Sequence, residues 1–463
     1  MLRLCKNKKN IGLIFGIIIA IIIWNIEITN ISTDGQKAMA LSLMTVVFWA
    51  TGVANVGFIS ILYLTSLVSL NIASASDVFS LWALPTIYLV IGAYLIADAV
   101  NRSGLGERIA YLFVIKFVNS FNSIIISTFV LQIILSLLIP HPWPRAFLIL
   151  SIMKVVIKSA KITKEDAVII GFSVFVATVP TAMVFLTGDS TINMLAVDFA
   201  GQKFGWMDWF YHMGMPSLAA SILTCILLLI IFKPSSTINI NKKAVQEKLA
   251  NLGKLTNLEK KTIFWVMIAI VLWMTDSIHN VDLGWVTILI AILMSMPMIG
   301  EVLTNESWKT VPIDTLFFLN AALAIGKIGE ITGMNSWIVS YILPSSVPKN
   351  IFLFGLLVVT ISIGLHMILG SVIAVMSIAI PAFLAYTGSS SLNPLVPALL
   401  VYTSVAFHYL LPYQHITILV GIGEEYGMYN DSHIMKMGIP LTLVVFITVL
   451  LIQIPWWHVT GLL

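Results

Sequence analysis

The stretch Leu138-Ile-Pro-His-Pro-Trp-Pro-Arg-Ala146 decides the fold, because it interrupts an apolar run, 124–150, that is otherwise long enough to cross a bilayer. Three prolines in five residues cannot be continuous helix, since each removes a backbone donor and clashes with the preceding turn. In hydrocarbon the freed carbonyl groups need partners, so such a break is tolerated only inside protein or beside a wet cavity. The stretch therefore predicts the tip of a helical hairpin that enters the membrane and turns back. A short loop outside the membrane, between two spans, is the alternative.

The composition of the 463-residue chain indicates a membrane protein. Hydrophobic residues make up 59% of it and charged residues only 10%, against about 25% charged in soluble domains. At roughly 20 residues per span, the length allows about 11 transmembrane helices. Cys5 and Cys225 are too few and too far apart for a disulfide framework or a zinc site. We therefore expect an all-α polytopic membrane protein that needs no cofactor and binds no nucleic acid.

The apolar runs give the order of the predicted spans. The first run has a basic start and resembles a signal peptide, but Asn25-Ile-Glu-Ile-Thr-Asn30 follows in place of a small-residue cleavage site, so we expect it to be retained. The predicted spans are 11–24, 37–51, 56–70, 81–100, 165–199, 211–232, 262–278, 284–298, 314–331, 394–423 and 438–457. Interfacial helices are predicted at 107–121 and 335–343.

The second half of the sequence repeats the first. Four landmarks recur in the same order at separations of 224 to 232 residues: 48–56 with 272–280, 101–104 with 330–333, Pro140-His141 with Leu365-His366, and Pro180 with Pro412. We predict an N-terminal helix (1–36), a first repeat (37–233), a cytoplasmic linker (234–261) and a second repeat (262–463). Each repeat carries a re-entrant hairpin and a broken helix, at 122–158 and 165–199 in the first and at 350–387 and 394–423 in the second. The first broken helix is predicted to break at 179–181 and at 187–190, and the second at 411–415. The predicted tip of the second hairpin is 364–371.

The distribution of positive charge predicts the topology. With a cytoplasmic N-terminus, 20 of the 25 lysines and arginines fall on the inner side, as the positive-inside rule requires. Five spans separate equivalent positions of the repeats, so the repeats have inverted orientations and the C-terminus is outside. The predicted location is the cytoplasmic membrane.

The order of these elements resembles the divalent anion:sodium symporter family of carboxylate and sulfate permeases. The segments that carry the resemblance are Leu272-Trp-Met-Thr-Asp-Ser-Ile-His279, the run 313–327 and Thr332-Gly-Met-Asn-Ser-Trp337, and the likeness extends over about 37–463. It implies a homodimer that works by an elevator movement of the hairpins and broken helices. The family carries Ser-Asn-Thr at both hairpin tips, for sodium and the substrate carboxylate, and Pro-Pro-Asn after the break of span ten. This chain has neither motif, so the family's sodium ligands cannot be assigned to residues of this sequence.

Arg145 is the candidate anion ligand. A dianion at the bilayer midplane needs compensating positive charge, and a guanidinium offers a fork of donors that suits a carboxylate or sulfate. Helix ends at both tips and both breaks add amide donors. The alternatives are that Arg145 extends to the interface or neutralises Asp189.

Histidines form the second group of candidates. His141 and His366 are predicted at equivalent tip positions, and His408 and His415 flank the break of span ten. An imidazole there donates to an anion or relays a proton. The alternatives are core histidines with ordinary hydrogen bonds, or metal ligands, although neither cysteine nor a pair of carboxylates accompanies them.

The remaining candidates lie in the breaks and at the second tip. Asp189, within Thr187-Gly-Asp-Ser190, binds a coupling cation, carries a proton or pairs with Arg145. Together with Ser190 and His408 it is a candidate for the coupling ion. Thr187, Ser371 and Pro412 join His141, Arg145, His366 and His415 as candidate substrate ligands. Glu424 and Glu425 are expected at a solvated helix end.

These features predict a secondary transporter of small anions, such as di- or tricarboxylates or sulfate, that is driven by protons or by exchange and not obligatorily by sodium. A membrane subunit of an anion efflux pump, such as an arsenite-type permease, is the alternative. An enzyme would need a nucleophile–base pair or a metal cluster, and the sequence offers neither.

Overall fold

The structure is a computed structural model that describes 2–235, 242–423 and 427–463, with side chains from residue 8 onward. It is all-helical, with 77% of the chain in helices and no strand in the described ranges. The predicted helix end at Glu424 and Glu425 lies outside the described residues.

The α-helices follow one another with short connections. They are α1 Leu2–Asn25, α2 Thr33–Thr51, α3 Val56–Ser69, α4 Ala75–Val78, α5 Pro85–Ser103, α6 Leu105–Phe117, α7 Phe121–Ser136, α8 Pro142–Ser159, α9 Lys164–Thr181, α10 Ile192–Ala200, α11 Trp206–Trp209, α12 Met215–Ile231, α13 Lys243–Asn251, α14 Asn257–Met274, α15 Asp276–His279, α16 Leu283–Ser295, α17 Ile313–Ile331, α18 Met334–Ile342, α19 Ile351–Leu369, α20 Val372–Thr387, α21 Leu395–Ala406, α22 Ile416–Val420, α23 Asp431–Ile447 and α24 Ile454–Thr460. Two π-helical segments, Phe210–Gly214 and Thr448–Gln453, connect α11 to α12 and α23 to α24.

Four helical stretches of the described chain are long and apolar enough to cross a membrane: Lys8–Asn25, Trp206–Ile231, Ile351–Leu369 and Asp431–Thr460. A fifth is added if α17 and α18, which meet at 84°, are counted as one span. The other apolar helices are shorter. The predicted total of about 11 spans stays a prediction.

Corresponding elements recur in the two halves. Helices α5 and α17 both have 19 residues, and a left-handed glycine, Gly104 (φ 78°) or Gly333 (φ 77°), immediately precedes the short helix that follows each of them. Glycine suits both positions because a Cβ disfavours this backbone conformation. Helix pairs α7–α8 and α19–α20 then form the hairpins, and α9–α10 and α21–α22 form the broken helices. The inverted orientation and the exact boundaries of the repeats stay predictions.

The first hairpin tip is shorter than predicted. Helix α7 ends at Ser136 and α8 already begins at Pro142, so Pro142 to Ala146 are helical. The prediction of a broken 138–146 is wrong in this part because the first turn of a helix leaves its amide groups without intrahelical partners. Proline therefore fits there without loss of a hydrogen bond.

The second tip also differs from the prediction. Helix α19 continues to Leu369, and the turn consists of Gly370 (φ 62°) and the N-cap residue Ser371. His366 therefore lies in the last turn of a helix, whereas His141 is the N-cap of α8. The two histidines are not at equivalent positions; Ser371 is the counterpart of His141.

The predicted correspondence of Pro180 with Pro412 is also wrong. Pro180 lies inside α9, which ends at Thr181, whereas Pro412 lies in a 3-10 turn within the second break. The two prolines therefore do not correspond. Since Pro180 lacks an amide hydrogen, it weakens the last turn of α9, and the chain leaves the helix one residue later.

Helix α5 packs closely against α16 outside the hairpin regions. A Cβ at Gly284 would lie 1.8 Å from the carbonyl oxygen of Pro85. Small residues allow helix backbones to approach in this way inside membranes. An ion pair joins α6 to α14. The guanidinium of Arg108 donates two hydrogen bonds to the carboxylate of Glu259, with nitrogen–oxygen distances of 2.6 and 3.1 Å.

Candidate functional site

Arg145 lies in the first turn of α8 and is fully buried. Its Nη1 donates to the main-chain oxygens of Ile139 (2.8 Å) and Gly188 (2.7 Å), and its Nε donates to Oε1 of Gln132 (3.3 Å). The buried Nη2 has no hydrogen-bond partner in the protein. The guanidinium therefore holds the hairpin tip to the first helix break and keeps one charged donor group unused.

One of the two alternatives for Arg145, extension to the interface, does not match this geometry. A fully buried guanidinium does not extend to the interface. Asp189 uses Oδ1 to accept from the amides of Thr191 (3.1 Å) and Ile192 (3.3 Å). It makes no direct hydrogen bond to Arg145, but the charges of the two side chains act on each other, so partial neutralisation of Asp189 by Arg145 stays open. Asp189 thus caps the start of α10, which carries partial positive charge.

The first break packs directly on the hairpin tip. Ser190 donates from its hydroxyl (3.0 Å) and from its amide (3.3 Å) to the carbonyl oxygen of Pro140. Thr187 accepts at its hydroxyl from the indole of Trp206 at 3.0 Å. The two hydrogen bonds from Ser190 satisfy the carbonyl that the missing helical turn leaves open.

His141 is largely buried at the N-cap of α8. Its Nδ1 accepts from the amide of Trp143 at 3.4 Å, and its ring contacts Tyr94 at a centroid distance of 4.6 Å. The indole of Trp143 donates to the hydroxyl of Thr417 on α22, at 3.3 Å. The first hairpin tip thus reaches the broken helix of the second half.

Asn193 organises the first break and was not predicted from the sequence. Its amide nitrogen donates to the carbonyls of Ala182 (3.0 Å), Phe185 (3.0 Å) and Leu186 (3.2 Å). Its side-chain oxygen accepts from the hydroxyl of Tyr402 on α21. One amide side chain therefore fixes the non-helical backbone and links the two broken helices.

A second polar cluster joins hairpin two to the second break. Nδ1 of His366 lies 3.2 Å from Nδ1 of His408, and Nε2 of His366 lies 2.9 Å from the carbonyl oxygen of Gln414. Nε2 of His408 lies 3.1 Å from the hydroxyl of Thr442 on α23. Gln414 accepts from the amides of Leu410 and Leu411 and so closes the turn.

The other predicted residues of the second half lie around this cluster. Nε2 of His415 is 3.1 Å from the carbonyl oxygen of Ala406, while its Nδ1 is buried without a partner. Ser371 caps α20 through the amide of Ala374 (3.4 Å). Pro412 begins the 3-10 turn that follows Leu411. A Cβ at Gly370 would lie 2.5 Å from the ring of Tyr413, so this turn touches the hairpin tip.

The predicted residues thus fall into two groups, one around Arg145 with His141, Thr187, Asp189 and Ser190, and one around His366 with His408 and His415. Arg145, Thr187, Ser190, His366 and His408 are each 0% exposed, so this conformation is closed to solvent. Within the described ranges, no group of three or more histidine, cysteine or acidic side chains has the arrangement of a metal site. The uncharged partners Gln132, Asn193, Gln414 and Thr442 were not predicted.

Comparison with known proteins places the chain in a family. The family model described as "Sodium:sulfate symporter transmembrane region" matches residues 7–463. The chain belongs to this family, the divalent anion:sodium symporters. It is therefore a multi-pass membrane protein of a transporter family. The family that the sequence resembles is confirmed.

Relatives within the divalent anion symporter family include named dicarboxylate transporters. A protein of Bacillus subtilis named "Putative malate transporter YflS" is 25% identical over 98% of this chain and 97% of its own length. "Dicarboxylate transporter 1, chloroplastic" of Spinacia oleracea is 26% identical over 70% of this chain and 59% of its own length. Among solved structures, the YdaH transporter of Alcanivorax borkumensis, described as having an unusual topology, is 14% identical with a TM-score of 0.51 over 83% of this chain and 87% of its own. That likeness concerns the fold alone.

Proposed function

We propose that this protein is a secondary active transporter of small dicarboxylates of the malate class across the cytoplasmic membrane, driven by protons or by exchange. The names of relatives that align over most of the chain support the substrate class. The N-terminus is cytoplasmic and the C-terminus external in this proposal, as the distribution of lysine and arginine favours.

The observation that carries the proposal is the unused Nη2 group of Arg145. A buried charged donor without a partner costs several kcal/mol, and an anion with two or more acceptor oxygens removes that cost. The group belongs to a residue whose other nitrogens are held by the hairpin tip and the first break. A dicarboxylate bound there would contact the two elements that this family architecture uses for transport.

The coupling proposal follows from the two tips. The first turn reads His141-Pro142-Trp143 and the second reads Gly370-Ser371-Val372. The first tip has no hydroxyl or amide side chain, and the second has only the hydroxyl of Ser371, which caps α20. Hard cations such as sodium bind several oxygen ligands, and Ser-Asn-Thr would supply more of them. We therefore assign the positive charge that balances the substrate to Arg145 and to protons, and not to sodium.

The movement belongs to the proposal as well. Hairpins α7–α8 and α19–α20, the broken helices and the spans attached to them move together against spans two to four and seven to nine, within a homodimer, as the resemblance to the family implies. The closed site fits a substrate-occluding conformation, since every central side chain is buried. A substrate reaches Arg145 only when this unit moves.

Uptake of labelled malate into proteoliposomes that contain the purified protein tests the function. Sulfate, succinate and citrate are compared as competitors, and sodium is replaced by choline in a parallel series. We expect malate uptake above that of protein-free liposomes, and we expect it to persist in choline. Uptake that strictly requires sodium would contradict the coupling proposal, and the absence of uptake and of exchange for all four anions would contradict the function.

A further inference from the structure

The His366–His408 pair belongs to a chain of four hydrogen bonds that ends on a main-chain carbonyl at both sides. The oxygen of Gln414 lies 2.9 Å from Nε2 of His366, and the two Nδ1 atoms lie 3.2 Å apart. Nε2 of His408 lies 3.1 Å from the hydroxyl oxygen of Thr442, which lies 3.0 Å from the carbonyl oxygen of Gly438. Both imidazoles are fully buried.

The carbonyl of Gln414 fixes the tautomers of both histidines. A carbonyl only accepts, so Nε2 of His366 carries hydrogen, and Nδ1 of neutral His366 is an acceptor. The facing Nδ1 of His408 must then donate, which leaves Nε2 of His408 with a free lone pair in the neutral pair. The basic atom of the pair is therefore Nε2 of His408, the one that faces Thr442.

The hydroxyl of Thr442 can hydrogen-bond to Nε2 of His408 in both protonation states of that atom. In the neutral pair, the hydroxyl donates to Nε2 of His408, and the chain has three hydrogen bonds and three hydrogens. When a proton binds to this Nε2, the hydroxyl rotates, accepts from the new N–H and donates to the carbonyl of Gly438. All polar atoms of the chain stay bonded in both states, and four hydrogens then fill four hydrogen bonds.

We propose that Nε2 of His408 is the proton-binding site of this transporter and that the hydroxyl of Thr442 is its rotating partner. This inference rests on the proposed transport function and names the coupling ion and its site. Proton binding converts the lone pair to an N–H bond and leaves one positive charge on the two imidazoles. The proton comes from solution on one side of the membrane and is released on the other after the hairpin unit moves.

The surroundings of the pair contain further titratable groups. Titratable or charged groups on the elements packed around it are Lys8, Asp34, Lys37, Cys225, Tyr386, Tyr402, Tyr409, Tyr413, His415, Tyr429, Asp431, His433, Lys436 and His458. Among these, His415 acts electrostatically on both histidines, and neither Asp34 nor Asp431 forms an ion pair with them. In the described chain no carboxylate hydrogen-bonds to either imidazole, so a proton bound here adds one positive charge to the buried cluster.

The test compares Thr442→Val, which keeps the shape but removes the hydroxyl, with Thr442→Ser, which keeps the hydroxyl. Both are assayed for malate uptake in proteoliposomes as a function of external pH. Without an acceptor for the new N–H, proton binding loses a charge-assisted hydrogen bond. We expect the pH midpoint of uptake to fall by about one unit or more in Thr442→Val, a tenfold loss of proton affinity, and to stay near that of the native protein in Thr442→Ser.

Thr448→Val is the matched control, because the buried hydroxyl of Thr448 on the same continuous helix has no hydrogen-bond partner. It should leave the midpoint unchanged. An unchanged midpoint in Thr442→Val, or an equal fall in Thr448→Val, would contradict the proposal. So would malate uptake by the native protein that does not depend on pH.

A second readout separates this inference from the transport function. The ¹⁵N resonances of the histidines in labelled protein report protonation of His408 directly, without any transport. Should the native protein carry none of the anions, the proposed function fails, while the titration of His408 and its fall in Thr442→Val still decide whether this atom binds a proton. Failure to titrate between pH 4 and pH 9 in a protein that does transport malate would reject the proton site alone.

Discussion

Nη1 of Arg145 donates to the carbonyl oxygen of Gly188 at 2.7 Å and, on its other hydrogen, to that of Ile139 at 2.8 Å. One nitrogen thus joins the end of the first hairpin helix to the interruption of the next span. The adjacent Nη2 has no partner within the protein. The same side chain thus holds the backbone and offers a free donor. Substitutions of Arg145 therefore need to be compared for stability and for anion binding separately.

Asp189 separates two interpretations of the first break. Asp189→Asn keeps a side-chain oxygen for the amides of Thr191 and Ile192 but removes the charge. We expect a change in the free energy of unfolding below about 0.5 kcal/mol, measured as thermal stability in detergent, whereas Asp189→Ala loses the cap and costs about 1 kcal/mol. If Asp189 were the structural counter-ion of Arg145, Asp189→Asn would instead be strongly destabilising, and it would restore transport when combined with Arg145→Ala.

Asn193 should be essential to the first break. Asn193→Ala removes the side-chain donor of the carbonyls of Ala182 and Leu186, while that of Phe185 keeps the amide of Gly188 as a donor. The variant is expected to cost about 2–4 kcal/mol, seen as a lower melting temperature. The control is Tyr402→Phe, which removes only the hydroxyl that donates to Asn193 and should cost about 1–2 kcal/mol. Equal stability of Asn193→Ala and the native protein would show that these hydrogen bonds do not hold the break.

The fork between Arg108 and Glu259 predicts a pH dependence of stability outside the membrane-spanning segments. Hydrogen bonds from the Arg108 guanidinium lower the pKa of Glu259 below its ordinary value of 4.5, against the smaller opposing effect of burial. A carboxyl with a lowered pKa stabilises the fold fully above its ordinary value and loses this contribution as the pH falls through the lowered one.

Arg108→Gln should therefore lower stability by about 2 kcal/mol at pH 7, and the difference from the native protein should shrink as the pH falls below about 4.5. Melting temperatures of both proteins between pH 7 and pH 3.5 provide the measurement. A difference that stays constant over this range would show that the ion pair does not stabilise the fold. Lys309→Gln is the control, because the pair of Lys309 with Glu306 is exposed at both side chains.

The sequence predicted the positions of most helices because apolar runs and glycine punctuation locate them closely. The span predicted at 314–331 is found at Ile313–Ile331. The hairpin tips were harder to predict. Three prolines marked the first tip, but Pro142 and Pro144 are tolerated in the first turn of a helix, so the pattern did not locate the end of the break.

The candidate site was predicted in part, and the reason lies in residue chemistry. Arg145, His366 and His408 stand out because charged or titratable residues are rare in apolar runs. Gln132, Asn193 and Gln414, which hold the broken backbone, are uncharged amides and give no such signal in one sequence. The pairing of His366 with His408 could not be predicted either. The two residues lie 42 positions apart, and the folding of the second hairpin against the second break brings them together.

The affinity of purified Arg145 variants for malate tests the central claim most directly, measured by calorimetry and by malate-induced thermal stabilisation. Arg145→Lys keeps a cation that can donate to Ile139 and Gly188 but lacks the second amino group, and Arg102→Lys, at a partly exposed arginine, is the matched control. Truncation of one partner of a buried charged pair costs about 2–5 kcal/mol, so we predict at least about thirtyfold weaker binding in Arg145→Ala. We predict partial recovery in Arg145→Lys and native affinity in Arg102→Lys. Native malate affinity in a folded Arg145→Ala or Arg145→Lys protein would contradict the account.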